Sequence, residues 1–285
     1  MILQNKAVLV NFTGRCWSAR KYDKSVSRKV ENIYGAIDAG RYNKVLVQLD
    51  KVNEIAKFHQ EFRRYHYAMT VPWLNNLGLL PSEHIFEYSK KAREYREKHD
   101  ELVKEFLDEY PQLVEDAKLS LNKMYKDSDY PSLGSLREKF EFDISTQPVP
   151  STNDFRINLQ EDEIVRLKEE YAKCEQEALA NGMNKVWKRM FDAVSHIVER
   201  LSEYNRGTKK KSRFHDTIIG NVTELVGLLP ALNIVDDPKL EEMRRELEQK
   251  ICTIDPHNLR NDAKLRDNTI SVAKDLIDRM GGFAS

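Results

Sequence analysis

The stretch from Asn158 to Tyr204 constrains this chain most, because it holds no proline and its apolar residues recur at helical spacing. Ile164, Leu167, Tyr171, Cys174 and Ala178 are followed by Met183, Trp187, Met190, Val194, Ile197 and Leu201. Almost every step is three or four, which places the side chains on one face of an α-helix. Asn158 followed by Glu161 reads as a reciprocally capped helix start. At about 1.5 Å of rise per residue, an unbroken helix of roughly 45 residues would be about 65–70 Å long. That exceeds the width of a compact domain, so the helix is expected to be a spine for other helices or an arm for a partner. Asn181-Gly182 is the one weak point, and the apolar face resumes within a turn beyond it. The expectation is a continuous spine helix.

The rest of the chain has to pack around that spine. It has 285 residues, 32% charged and 40% hydrophobic, which suits one globular, mostly helical domain with long solvated helix faces. Possible subregions are 1–159, the spine at 160–204 and the C-terminal helices at 205–285. Lys+Arg and Asp+Glu number 46 each, so the formal net charge is zero. Proteins held to nucleic acid by their overall field are usually basic, which leaves only local patches for that role. Three cysteines at unrelated spacings, Cys16, Cys174 and Cys252, signal neither a disulfide framework nor a zinc site. No stretch has the length of a membrane span, and the N-terminus lacks the order of a signal peptide. A soluble, intracellular protein is expected.

In chain order, Lys6–Phe12 reads as a strand ended by Thr13-Gly14, and a helix follows to about Ala39, closed by Gly40. A second helix is expected from Asn43 to about Thr70, and Asn76–Pro81 as a turn. Ser82 caps a third helix, which Pro111 should kink or split. A short helix with a Ser135/Glu138 cap precedes Phe140–Ile144 and Phe155–Leu159, which alternate like strands. With Val8–Phe12 these would form a small antiparallel sheet of two or three strands at the base of the spine. Beyond the spine, Phe214–Leu229 reads as a helix ended by Pro230, and Asp237-Pro238 and Asp255-Pro256 open helices of about 238–253 and 256–280. The fold class expected is mainly α, with long antiparallel helices around the spine and a small sheet.

Three cationic stretches are candidates for binding nucleic acid or an acidic partner. Arg63, Arg64, Tyr65 and Tyr67 could stack bases and hold phosphates, or be a helix face whose tyrosines pack while its arginines snorkel. Arg206, Lys209, Lys210, Lys211 and Arg213 form a loop with five cations and no acid, suited to phosphate or left as a solvated connector. Arg15, Arg20, Lys21, Lys24, Arg28 and Lys29 are the third. Metal-ligand spacing is poor, since Arg63 lies between His59 and His66 on their shared face. No nucleotide-binding glycine motif occurs. The carboxylates gather at helix starts, where the macrodipole accounts for them. No catalytic residue, metal or cofactor is expected.

Several phrases are more particular than generic helices. They are Trp17-Ser-Ala-Arg-Lys-Tyr-Asp-Lys24, Asp38-Ala-Gly-Arg-Tyr-Asn-Lys44, Tyr67-Ala-Met-Thr-Val-Pro-Trp73 and Pro148-Val-Pro-Ser-Thr-Asn-Asp-Phe-Arg156, with Phe214–Val222 and Leu228–Asn233 further on. Across roughly Val8–Ile251 the chain resembles a family of uncharacterised proteins of tailed bacteriophages and integrative elements. It is distantly similar to a bacterial domain-of-unknown-function family found near MoxR-type AAA+ ATPases. The resemblance brings no catalytic residues. It singles out Trp17, Arg20, Lys21, Asp23, Arg41 and Trp73, and it implies work beside an AAA+ ATPase or a host factor in the host cytoplasm.

Three readings follow. The first is a non-enzymatic accessory or interaction protein, oligomeric, that acts with a protein partner. The second is a nucleic-acid-binding protein of phage replication or recombination, using the α-helical aromatic-basic cluster and the lysine loop. The third is an enzyme with a site around Trp17, Arg20, Lys21, Asp23 and Trp73.

Overall fold

The computed structural model describes residues 3–151, 161–205 and 217–282. The expected strand at Phe155–Leu159, the Asn158 cap and the basic loop with Arg206, Lys209, Lys210, Lys211 and Arg213 lie outside these residues. In order, the elements are β1 (Ala7–Arg15), β2 (Arg20–Tyr22), α1 (Lys24–Tyr34), β3 (Asn43–Val45) and α2 (Asp50–Met69). Next come β4 (Val71–Pro72), β5 (Gly78–Pro81), α3 (Ile85–Leu121), α4 (Leu133–Arg137) and β6 (Glu141–Pro148). The long α5 (Glu161–Asn205) follows, then α6 (Thr217–Leu232), α7 (Pro238–Lys250), α8 (Pro256–Asn261) and α9 (Ala263–Met280). The fold is mainly helical around a 45-residue helix, with a small antiparallel sheet. Among the described residues, no helix is long and apolar enough to cross a membrane.

The spine is continuous through Asn181-Gly182, and the reason is packing. A Cβ on Gly182 would sit 2.7 Å from Val71 Cγ1 and 2.9 Å from the Pro72 carbonyl oxygen, so the missing side chain lets α5 approach β4. Glycine is used here for close approach, not for breaking a helix. Prolines mislead in the same way. Pro111 lies exposed inside α3 and Pro230 exposed inside α6, and neither ends its helix. On an exposed face water can satisfy the carbonyl that the ring frees, so the lost amide bond is offset by the buried face.

Other boundaries move for local reasons. β1 runs on through Thr13-Gly14 to Arg15, and α1 stops at Tyr34, capped by Gly35 in the left-handed region (φ 62°). Asn43–Val45 is a strand and not the start of α2. Val71–Pro72 and Gly78–Pro81, read as a helix stop and a turn, are strands. Ser132, not Ser135, caps α4, and Glu138 stands at its other end. Asp262 starts α9 anew, which divides the expected 256–280 helix in two.

The chain forms two compact units built from interleaved segments. One comprises Met1–Asn11, His66–Tyr88 and Thr146–Ser285. Within it β5 pairs antiparallel with β4 and with the first half of β1, with Ala7 opposite Pro81 and Leu9 opposite Leu79. Against these strands, α5 buries Met183, Val186, Trp187, Met190, Val194, Ile197 and Leu201 among aliphatic residues of α6, α7 and α9. Along the described side chains of α5, full burial begins only at Ala178. Its last two-thirds is therefore the spine of this unit. Trp187 Nε1 donates to Asp237 Oδ2 at 3.1 Å, and the same carboxylate caps α7 through the Lys239 amide.

The second unit comprises Phe12–Tyr65 and Ser89–Ser145. Its core sets Leu46, Val52 and Ile55 against Leu102, Val103, Phe106 and Tyr110 of α3, with Trp17, Leu136 and Phe140. A further aromatic nest joins Phe12, Phe62 and Phe142, with ring centroids 4.8–4.9 Å apart. The excursion from β2 through α1 to β3 projects from this unit's sequence as a separate two-stranded ribbon.

Candidate functional site

The β2–α1–β3 excursion is rigidly built at its base. Arg20, Lys21 and Tyr22 pair antiparallel with Val45, Lys44 and Asn43, so alternate residues face opposite sides. The inward pair is Lys21 and Lys44. Lys44 is fully buried, and its ammonium donates to the Met124 carbonyl at 2.6 Å and to Asp129 Oδ2 at 2.5 Å. Lys21 reaches Asp129 Oδ1 at 2.9 Å. Burial alone would raise the Asp129 carboxyl, and the hydrogen bonds from Lys44 and Lys21 more than offset it, leaving it below its usual range. Tyr130 donates its hydroxyl to the Leu46 carbonyl at 2.8 Å. The ribbon is thereby clamped to residues 124–130.

Asp23 starts α1, accepting from the Ser25 and Val26 amides at 3.0 and 3.1 Å and from the Ser25 hydroxyl at 2.7 Å. The Ser25 hydroxyl bond, with the amides, holds its carboxyl below the usual value. Ser27 is the buried residue of α1, donating to the Asp23 carbonyl and accepting from the Tyr42 amide, both at 2.9 Å. These bonds tie the helix to the β3 side of the ribbon.

What the helix leaves outside is unusual. Val26, Val30 and Ile33 follow at steps of four and three, an amphipathic row on α1, and Ile37 continues the spacing just beyond the Gly35 cap. Yet Val30 is 45%, Ile33 76%, Tyr34 79% and Ile37 95% exposed. Tyr22, Tyr42 and Val45 add three more exposed apolar side chains. Six cations, Arg20, Lys21, Lys24, Arg28, Lys29 and Arg41, share residues 20–41 with three carboxylates, Asp23, Glu31 and Asp38. The Arg41 guanidinium lies 5.7 Å from the centre of the Tyr22 ring. Single exposed apolar residues need no explanation, but a cluster does.

The residues expected from sequence fall into different settings. Trp17 is core, 5.8 Å from the Tyr110 ring and 6.0 Å from Phe106. Arg20 is exposed on the ribbon, Lys21 is in the clamp, Asp23 is the cap, and Arg41 covers Tyr22. Trp73, in the other unit, packs half-buried on the aliphatic core. Arg63 is half-buried with its guanidinium 5.5 Å from the Phe12 ring, Arg64 is exposed, and the half-buried Tyr65 ring leans on Phe62 at 5.9 Å. Tyr67 belongs to the other unit and is 51% exposed. The α1 row was missed, although its four-three spacing was legible.

A second feature is chemical. His59 and His99 stack with ring centroids 5.0 Å apart, both buried, and neither Nε2 has a hydrogen-bond partner. Burial pushes His59 down to about 4, helped by His99 and Arg63. Burial lowers His99 as well, against the opposing pull of Asp100. Both imidazoles are therefore neutral at pH 7. Burial also raises the Cys16 thiol to about 11, which leaves it protonated and poorly nucleophilic. Among the described residues, no group of three or more His, Cys, Asp or Glu side chains could hold a metal ion. No family model, no curated protein and no solved structure matches this chain.

Proposed function

We propose that this chain is a non-enzymatic interaction protein that docks protein through the β2–α1–β3 excursion. The observation that carries this reading is the concentration of exposed apolar side chains between Tyr22 and Val45 on a helix whose base is pinned by Asp23, Ser27 and Tyr42. A pre-ordered helix that presents Val30, Ile33 and Tyr34, with Ile37 exposed just beyond its Gly35 cap, loses little further entropy on binding, as in helices that dock into grooves. Ordering this row in water without a partner gains nothing from its apolar surface. The resemblance drawn from the sequence implies an AAA+ ATPase or a host factor as a protein in the same assembly.

A photo-crosslinking residue at position 37 tests this in the source cells, with one at exposed Lys104 as the control. The expected result is a defined protein adduct from position 37, lost when Ile33 is changed to Asp. Equal, diffuse labelling from both positions would remove the reading.

A further inference from the structure

Resting on that reading, we propose that the protein docked by α1 is a second copy of this chain, with the C-terminal end of α1 and the Gly35–Asp38 turn crossing their counterparts antiparallel about a two-fold axis near Ile33. Area is the first reason. Val30, Ile33, Tyr34 and Ile37 are 45–95% exposed, so two copies would bring together on the order of 1,000 Å² of apolar side chain, the low end for a specific interface. A row of one helix is also self-complementary, and two-fold pairing is the commonest closed symmetry.

Charge is the second reason. Beyond its Asp23 cap, α1 carries its charges against its own dipole: no acid stands in its first turn and no base in its last. Lys24, Arg28 and Lys29 occupy the N-terminal part, and Glu31 and then Asp38 lie toward the C-terminal end. Cations are stabilised at helix C-termini and acids at N-termini. An antiparallel copy supplies that arrangement, since the cationic half of one helix meets the carbonyl end and the Gly35–Asp38 turn of the other. Lys29 is the cation at the margin of the apolar row, about 40° around the helix from Ile33. Cations outnumber acids in the excursion, but the position of Asp38 argues against an anionic lipid surface. Asp38 directly follows Ile37, the most exposed apolar residue, and such a surface would repel the carboxylate beside the side chain that has to enter it.

Sedimentation velocity of the full chain between about 1 and 100 µM, a range that brackets micromolar association, tests the proposal. The expected result is a concentration-dependent dimer that becomes a monomer in I33D/I37D, with a thermal melt unchanged at concentrations where the wild type is itself monomeric, because both positions are exposed. Lys29→Glu should weaken the dimer about tenfold, and Lys29→Glu with Asp38→Lys should recover it. Ile33→Cys in a Cys174→Ser background should form an intermolecular disulfide on oxidation. Should I33D/I37D shift the melt, Ile33→Ser with Ile37→Ser carries the same comparison. A monomer throughout the range, or a dimer indifferent to these changes, overturns the proposal. So does a monomer that floats with phosphatidylserine vesicles through Ile33 and Ile37. A monomer that still gives an Ile33-dependent adduct with another protein overturns the self-pairing alone; a monomer without such an adduct overturns the docking reading too.

Discussion

In the unit built on α5 the core is aliphatic and thioether, with Met190, Val194, Ile197, Val222 and Leu229 almost wholly buried. Its outer braces are carboxylate–guanidinium clusters. Arg279 and then Lys250 hold the Glu246 carboxyl at about 2, and Arg244 with Arg245 holds Glu241 at about 2. The unit around α2 and α3 is built from different chemistry. Its core mixes aliphatic residues with many aromatic rings, it buries the two neutral imidazoles of His59 and His99, and it hides the Lys44–Asp129 pair. An apolar core tolerates any pH at which its surface braces survive. A core that holds titratable groups ties its stability to their protonation. The first unit buries His66 as well, but with the Tyr88 hydroxyl 2.6 Å from its Nδ1, whereas neither Nε2 of His59 and His99 has a partner. The greater acid sensitivity, with the exposed excursion, is therefore placed in the second unit.

The largest test of this contrast is a core truncation in each unit, read by amide hydrogen exchange. Phe62→Ala should cost about 3–5 kcal/mol and Met190→Ala about 2–5 kcal/mol. Each should reduce protection chiefly in its own unit; uniform loss in either variant would mean that the units are one cooperative block.

Lys44→Met leaves Asp129 with Lys21 as its remaining ion-pair partner. Removing one member of a buried pair costs about 3–5 kcal/mol, and Lys21 should keep this case near 3. The signature is faster exchange in residues 19–46 with little change in α5–α9.

Acid should separate the units without any mutation. His59 has its folded value at about 4, below the unfolded value of about 6.5, so protons favour the unfolded state. The stabilising contribution is complete above about pH 6.5 and falls by about 3 kcal/mol as pH drops toward 4. For Glu241 and Glu246 the folded values also lie below the unfolded ones, so their contribution is complete above about pH 4.5 and fades only toward pH 2. Exchange at pH 5 should show the His59 unit loosened and the α5 unit intact, and simultaneous loss would break the comparison.

Gly182→Ala is a smaller probe of the first unit. Helix propensity favours alanine by about 1 kcal/mol, but the Cβ would press on Val71 and Pro72, and overpacking costs about 1–3 kcal/mol. A net loss of about 1 kcal/mol by chemical denaturation is expected, whereas a gain would show that α5 can move off β4. The smallest effect is I33D/I37D, whose exposed positions should change monomer stability by less than about 0.5 kcal/mol.

Much of the helical framework could be read directly. The α5 periodicity, the Asp237 and Asp255 caps and the strand at Val8–Phe12 are all where local rules put them. The short strands were not legible, because β2 and β3 are three residues each and β4 is two, too few for alternation to show. Lys44 reads as a surface lysine until residues 124–130 supply a carbonyl and a carboxylate. The exposed apolar residues of α1 lay in plain view as Val26, Val30 and Ile33, with Ile37 beyond the cap, but an amphipathic row normally announces a buried face.

The sequence by itself determined what depends on near neighbours: a 45-residue helix and its register, the Asp237 and Asp255 caps, and the apolar row of α1. Those follow from spacing and from hydrogen bonds within a turn or two. Only the tertiary structure decided which apolar rows are covered, why Gly182 continues a helix, and that two histidines forty residues apart stack in one core. Burial and close approach are set by what the distant chain brings alongside, and no local pattern contains that.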